Sequence, residues 1–237
     1  MLFLKVELLD PEKHRNLRWK CLEASCSQSC CLVPDRTFVV LEEVESLSRH
    51  FPVVINLEVD EEGKEQKLLC AYFRLKEDGK GCIYLKDGVG CLLGSEKPYT
   101  CRQYPFFIKG GYLALDLTCP GFSEKEGELL WEGEFINSYF EREFYAYSLR
   151  LEEEKARTEE FINLLFDLEL VVGGRINYGG VEVSFNMVDE KKLAELPEEV
   201  LRELLRRGYM RLIYAHLNSL QNWQRLINRM VNRSESR

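Results

Sequence analysis

Apolar positions follow two different periods along this chain, and each period marks a kind of element. Val40, Val44 and Leu47 fall on one side of a short helix predicted over Val39 to Arg49. Val53 to Val59 alternates as a strand does, Glu61-Glu62-Gly63-Lys64 reads as a turn, and Leu68 to Leu75 is the returning strand of a hairpin. From Gly79 to Gly111 the periodicity gives way to Gly, Cys and Pro, which predicts loops folded around a metal. Tyr112 to Leu117 then resumes the pattern of a short strand.

Beyond this point the helical period takes over. Phe135, Tyr139, Tyr147, Leu151, Phe161, Leu164 and Leu165 supply an apolar stripe for a long helical stretch from Leu129 to Phe166. Gly-Gly pairs at 173–174 and 179–180 punctuate two strands, Arg175 to Tyr178 and Val181 to Met187. Asp189 is suited to cap a helix running to Leu196, and Pro197 opens another in its first turn, which Gly208 ends. A last amphipathic helix, Tyr209 to Val231, aligns Ile213, Leu217, Leu220, Trp223, Ile227 and Met230. The expected class is α+β. An irregular, cysteine-rich metal-binding domain with short strands (1–122) precedes a mostly helical region with a small hairpin (123–237), divided after the turn Cys119-Pro120-Gly121.

With 237 residues, 45% of them hydrophobic, the chain can bury a real core. Its net charge of -8 excludes a broad nucleic-acid footprint, which needs clustered Lys and Arg. Glu7, Asp10, Glu12 and Lys13 interrupt the apolar start before a signal peptide or membrane span forms, so a cytoplasmic protein is expected. Nine cysteines then point to metal ligation or redox chemistry, and the odd count disfavours a fully paired disulfide framework. The abundance of Glu, Lys, Arg and Leu is thermophile-like.

All nine cysteines lie between Cys21 and Cys119. The first group is Cys21-x4-Cys26-x3-Cys30-Cys31, a spacing that lets one loop wrap thiolates round an ion or cluster. Adjacent Cys30 and Cys31 point apart, so they suit different metals or different shells. The second group is Cys82, Cys91, Cys101-Arg102-Gln-Tyr104-Pro105-Phe106 and Cys119-Pro120-Gly121. Eight thiolates exceed what one tetrahedral zinc uses, which favours iron, while a structural zinc that only ties loops together remains open. Arg102, directly after a cysteine, is placed to offset thiolate charge or hold an anionic ligand, and Tyr104 to donate a hydrogen bond to the site. Phe106 and Cys70 read as packing residues, the latter inside a strand. His216 reads as a satisfied core histidine, His14 and His50 show no partner by spacing, and Glu152-Glu153-Glu154-Lys155 reads as a solvated helix face.

This order of motifs, over residues 20 to 122, resembles the zinc- or iron-chelating cysteine-cluster family. The spacing of the first group is similar to that of the flagellin lysine-N-methylase family, associated with an iron–sulfur cluster. The resemblance implies Cys21, Cys26, Cys30, Cys31, Cys82, Cys91, Cys101 and Cys119 as ligands and leaves Cys70 outside. Leu92-Leu93 and Lys97-Pro98 depart from the family's usual Ile-Tyr and Arg-Pro. An enzyme reading, methyl transfer to protein lysines with S-adenosylmethionine, is implied by this resemblance alone. Val188 to Pro197, Arg207-Gly208-Tyr209 and Ile213 to Leu220 resemble a SapC-like family over 181–230, which implies an interaction or regulatory module whose helices dock a protein partner. No phosphate-binding loop, dinucleotide fingerprint, nucleophile elbow or His-Glu-x-x-His occurs. The expectation is a metal-binding protein holding iron, an iron–sulfur cluster or zinc; the alternatives are an iron–sulfur-dependent lysine methyltransferase and a structural zinc module.

Overall fold

A computed structural model describes residues 6–22, 25, 26, 30, 31, 35–59, 63–75, 81–86, 88–109, 111–178 and 181–234. The expected turn at Glu61-Glu62 and the Gly179-Gly180 pair lie outside these residues. The mixture of short strands and a helical C-terminal part makes the fold α+β, as the two periodicities imply.

The chain forms two compact units, and neither is continuous in sequence. One comprises residues 1–34 and 80–153, the other 35–79 and 154–237. This differs from a single division after residue 122. The reason is hydrogen bonding: the hairpin of Val53–Val59 and Glu65–Tyr72 belongs to a sheet completed by strands from the second half.

In the first unit, Tyr112–Asp116 is the centre of a three-stranded sheet, flanked by Val6–Leu8 and Phe106–Lys109. Arg18–Trp19 pairs on either side with Phe122–Ser123 and Glu128–Leu129. The segment 79–111 is not all loop, since Tyr99–Gln103 is helical and Phe106–Lys109 is a strand. Nor does the long helix begin at 129. Trp131–Glu132 and Phe135–Ile136 form a small hairpin around Gly133, which leaves Phe135 exposed, and Asn137 starts the helix by accepting the Tyr139 N–H at 2.9 Å. Helical structure then runs from Ser138 to Asp167, with a π turn at Glu141–Tyr145. The core is aromatic: Trp19 meets Phe106, Phe140 and Phe144 edge-on at 5.6, 6.4 and 4.9 Å between ring centroids. Such edge-to-face contacts add to the burial of large side chains.

In the second unit five strands order as Val171–Tyr178, Val181–Val188, Val53–Val59, Glu65–Tyr72 and Arg36–Phe38, all antiparallel. Among the described residues the two hairpins meet at one pairing, Asn186 with Ile55. Two residues along, where Val188 would face Val53, the His216 ring takes the place of the ladder. Its Nε2 accepts the Val188 N–H at 3.2 Å and its Nδ1 lies 2.6 Å from the Val53 carbonyl oxygen. Ser219 Oγ accepts the Val53 N–H at 2.9 Å. Asp189 caps the helix Glu190–Ala194, Glu198–Arg206 follows Pro197, and a 3-10 turn at Leu220–Asn222 divides the final helical stretch into Tyr209–Ser219 and Trp223–Ser234. Glu154 departs from its expected solvated face: it is buried and its Oε1 pairs with Arg157 at 2.7 Å. His14 has partners after all, taking the Asp10 N–H on Nδ1 at 3.0 Å and lying 3.8 Å from Glu7.

The His216 geometry requires a neutral ring with its proton on Nδ1, because a second proton would confront the Val188 N–H. Burial holds its pKa down at about 4 against an ordinary 6.5. The unfolded chain therefore protonates first as pH falls. Stability from this group is complete above 6.5 and is lost between 6.5 and about 4, by about 3 kcal/mol in all. Urea unfolding at a series of pH values checks this: wild type should lose stability across that window and His216→Gln, weaker throughout, should show a flatter slope there. Equal slopes would remove His216 from the account.

Candidate metal centre

The eight predicted ligands all belong to the first unit. Cys21 follows Arg18–Trp19 with only Lys20 between, and Cys26, Cys30 and Cys31 come later in the same stretch. Cys91 ends a small hairpin formed by Leu85–Lys86 and Gly90–Cys91, Cys101 lies in the helix Tyr99–Gln103, and Cys119 sits in the turn after Tyr112–Asp116. The Cys82 N–H donates to the Cys31 carbonyl at 2.6 Å, so the two groups of cysteines touch through their backbones. None of the nine cysteines is joined in a disulfide.

Electrostatics report the same convergence. Cys30, which keeps an exposed surface, has its pKa pushed up by its hydrogen bond with Cys31, by desolvation, and by the charges of Cys31, Cys101 and Cys21. Burial raises Cys119, with Cys26 and Cys21 adding to it, while the Gly121 N–H and the Trp19 indole pull the other way. Burial likewise raises Cys91 against the Leu93 N–H and the Lys97 charge, with Cys31 contributing. Thiolates drawn from the loop around 21–31, the 91 hairpin, the 101 helix and the 119 turn therefore feel one another. The sulfurs do not stand in a closed ligand set: among the described residues, no three His, Cys, Asp or Glu side chains are placed to hold a metal ion.

The donors around these sulfurs suit thiolates better than thiols. The Trp19 indole nitrogen is buried and makes no hydrogen bond among the described residues, while Cys119 packs against the Trp19 cluster and the indole works to lower that thiol's pKa. A buried N–H without an oxygen partner is costly unless it meets a sulfur, and a thiolate accepts far better than a neutral thiol. Backbone N–H groups two residues beyond Cys91 and Cys119 point at the same sulfurs. Donors of this kind hold and tune thiolates in metal centres.

Neighbouring side chains position the turn at Cys119. Buried Asp116 accepts the Thr118 N–H and Oγ1–H on one oxygen, at 3.0 and 2.6 Å, and the Tyr104 hydroxyl on the other at 3.2 Å. Burial and the Asp116 charge push the Tyr104 pKa up, so the phenol stays a donor. Arg102 turns to the Lys97 carbonyl at 2.9 Å and the Tyr147 hydroxyl at 2.7 Å, with its guanidinium 4.8 Å from that ring's centre. A carbonyl and a tyrosine thus hold Arg102, and a cation that does act on a sulfur is Lys97, beside Cys91. Trp19 and Asp116 were not singled out in the sequence, although Trp19 stands two residues before Cys21, and Lys97 was noted only as a departure from the motif. Phe106 is buried against Trp19, as its packing role requires, and Cys70 is buried in the second unit, where burial above all pushes its thiol up to about 12.

A family model described as SapC matches residues 9–226. The match extends far beyond the 181–230 resemblance and takes in every cysteine of the candidate centre. No curated protein and no solved structure matches the chain. No helix among the described residues is long and apolar enough to cross a membrane.

Two outcomes test the site geometry. Gly121 lies against Lys20, whose N–H donates to the Gly121 carbonyl at 3.0 Å, and a methyl group there would collide with the Lys20 carbonyl oxygen. Gly121→Ala should therefore displace the segment leading to Cys21 and cost about 1–3 kcal/mol in thermal unfolding, whereas an unchanged melting curve would contradict this packing. In metal-free protein, iodoacetamide should label Cys21, which is exposed, well before Cys70. Mass spectrometry that finds Cys70 labelled first would refute the burial.

Proposed function

We propose that this chain, which belongs to the SapC family, is a metal-binding protein that holds iron, as a thiolate-bound iron–sulfur cluster, through Cys21, Cys26, Cys30, Cys31, Cys82, Cys91, Cys101 and Cys119. The observation that carries this reading is the mutual electrostatic influence of thiols from four chain segments, with the Trp19, Leu93 and Gly121 N–H groups turned to two of the sulfurs. The donor set fits soft metals that take thiolate ligands, and eight thiols are more than one zinc accepts. An iron–sulfur centre would supply one-electron chemistry, with its potential set by hydrogen bonds to sulfur and by burial. The chain's own contribution is to bring the thiols together, to donate to Cys119 and Cys91, and to fix the Cys119 turn through Asp116.

A structural zinc is the second reading, favoured by the small hairpin at Cys91, since short hairpins presenting thiols commonly clasp zinc. A lysine methyl-transfer role would build on the iron–sulfur reading and rests on the motif resemblance.

Metal and sulfide analysis with absorption spectroscopy on protein purified without oxygen tests the proposal. The expected result is about four irons with matching sulfide and a broad band near ~400 nm, lost in Cys30→Ser and Cys119→Ser. Trp19→Phe should keep the iron and lower its reduction potential, since one donor to sulfur is removed. Colourless protein carrying one or two zincs would overturn the iron reading in favour of the structural one, and protein that binds neither metal after reconstitution would overturn both. If iron is found, incubation with S-adenosylmethionine and candidate protein substrates asks whether lysine methylation follows.

A further inference from the structure

The second unit contains a cavity of about 620 Å³ that owes nothing to the cysteines. It lies where its two hairpins separate. Beyond the Asn186–Ile55 pairing, continued register would set Ser184 against Leu57 and Glu182 against Val59, yet no such pairing forms among the described residues. Each strand is hydrogen-bonded on its far side, Val181–Val188 to Val171–Tyr178 and Val53–Val59 to Glu65–Tyr72. The wedge between them is therefore bordered by two facing strand edges.

Three further observations indicate what fits there. Leu57 and Val59, on one face of the diverging strand, are 43% and 70% exposed, an apolar display that sheet edges ordinarily avoid. The charges lining the wedge balance, Arg36, Arg74 and Arg175 against Asp35, Glu58 and Glu182, and they engage one another: Arg36 bonds Glu58 at 3.0 Å and Asp35 at 3.1 Å, and Arg175 stands 3.5 Å from Glu182. A strongly anionic ligand such as a nucleotide thus meets as many carboxylates here as guanidiniums, whereas a peptide of near-zero net charge matches the lining. At the closed end the sheet already accepts an inserted hydrogen-bonding group, because the His216 ring bridges Val188 and Val53 in place of the ladder.

We infer that the wedge between Val53–Val59 and Val181–Val188 is a binding site for an extended peptide segment of another polypeptide. The segment pairs its backbone with one or both strand edges and sets apolar side chains at alternate positions on Leu57 and Val59. Backbone pairing supplies affinity and alternate side chains supply selectivity in strand addition. This site is independent of the cysteine centre, so either reading stands if the other falls.

Selection of a phage-displayed random heptapeptide library on the full chain tests it. Enriched peptides should carry alternating apolar residues, and on binding they should slow amide exchange within 56–59 and 182–185. N-methylation of alternate peptide nitrogens, and Leu57→Lys in the protein, should each weaken binding at least about tenfold. Ser184→Pro should do the same without loss of the metal signal or of secondary structure. The inference is overturned if no peptide is enriched, if protection maps elsewhere, if N-methylation has no effect, or if free dipeptides bind as well as the selected sequence.

Discussion

The first unit depends on where one short strand lies. Arg18–Trp19 is held between Phe122–Ser123 and Glu128–Leu129, and its backbone runs so close to Gly121 and Gly127 that no side chain fits at either position. This contact does two things at once. It drives the Trp19 ring into the Phe106, Phe140 and Phe144 cluster, and it fixes where the chain leaves the sheet, one residue before Cys21. Cys119 packs against that same cluster, so the aromatic core and the thiol region are coupled there. In a unit with such short strands, this coupling does what long ladders do elsewhere.

The second unit is organised by a sheet that is incomplete by design of its sequence. Its two hairpins are each well paired, but among the described residues they share one bridge, and a histidine and a serine from the helix Tyr209–Ser219 serve as further fasteners. Helix and sheet are thereby tied through hydrogen bonds as well as through apolar contacts such as Trp223 against Phe185 and Tyr72. Buried polar ties of this kind specify one register, because any slip would strand the His216 nitrogens in the core.

Legibility in the sequence followed the range of the forces involved. Val53–Val59 and the strands around 175–187 could be read because alternation is a local property, and Asp189 because its cap reaches only two or three residues. The nine residues from 129 to 137 could not, since their apolar content fits a helix and only pairing across Gly133 and of Leu129 with Arg18 makes strands of them. Glu154 looked solvated among its charged neighbours, and nothing short-range reveals that it is buried. At the site, the cysteines were evident from spacing, whereas Trp19, Asp116 and Lys97 act through contacts spanning up to about a hundred residues. The direction of Arg102 was equally hidden, because its partner Tyr147 lies on a distant helix.

The interleaving of the two units also bears on how the protein is made. Ribosomes add about 5–20 residues per second, so the thiols at 21–31 wait several seconds before Cys119 is even synthesised, while the whole of 35–79 emerges in between. During that interval four cysteines stand in an unfolded segment whose sheet partners at 122–129 do not yet exist. If the proposed metal centre forms, its first four thiols must stay reduced and unclaimed by other metals until the later segments that carry the remaining cysteines are made.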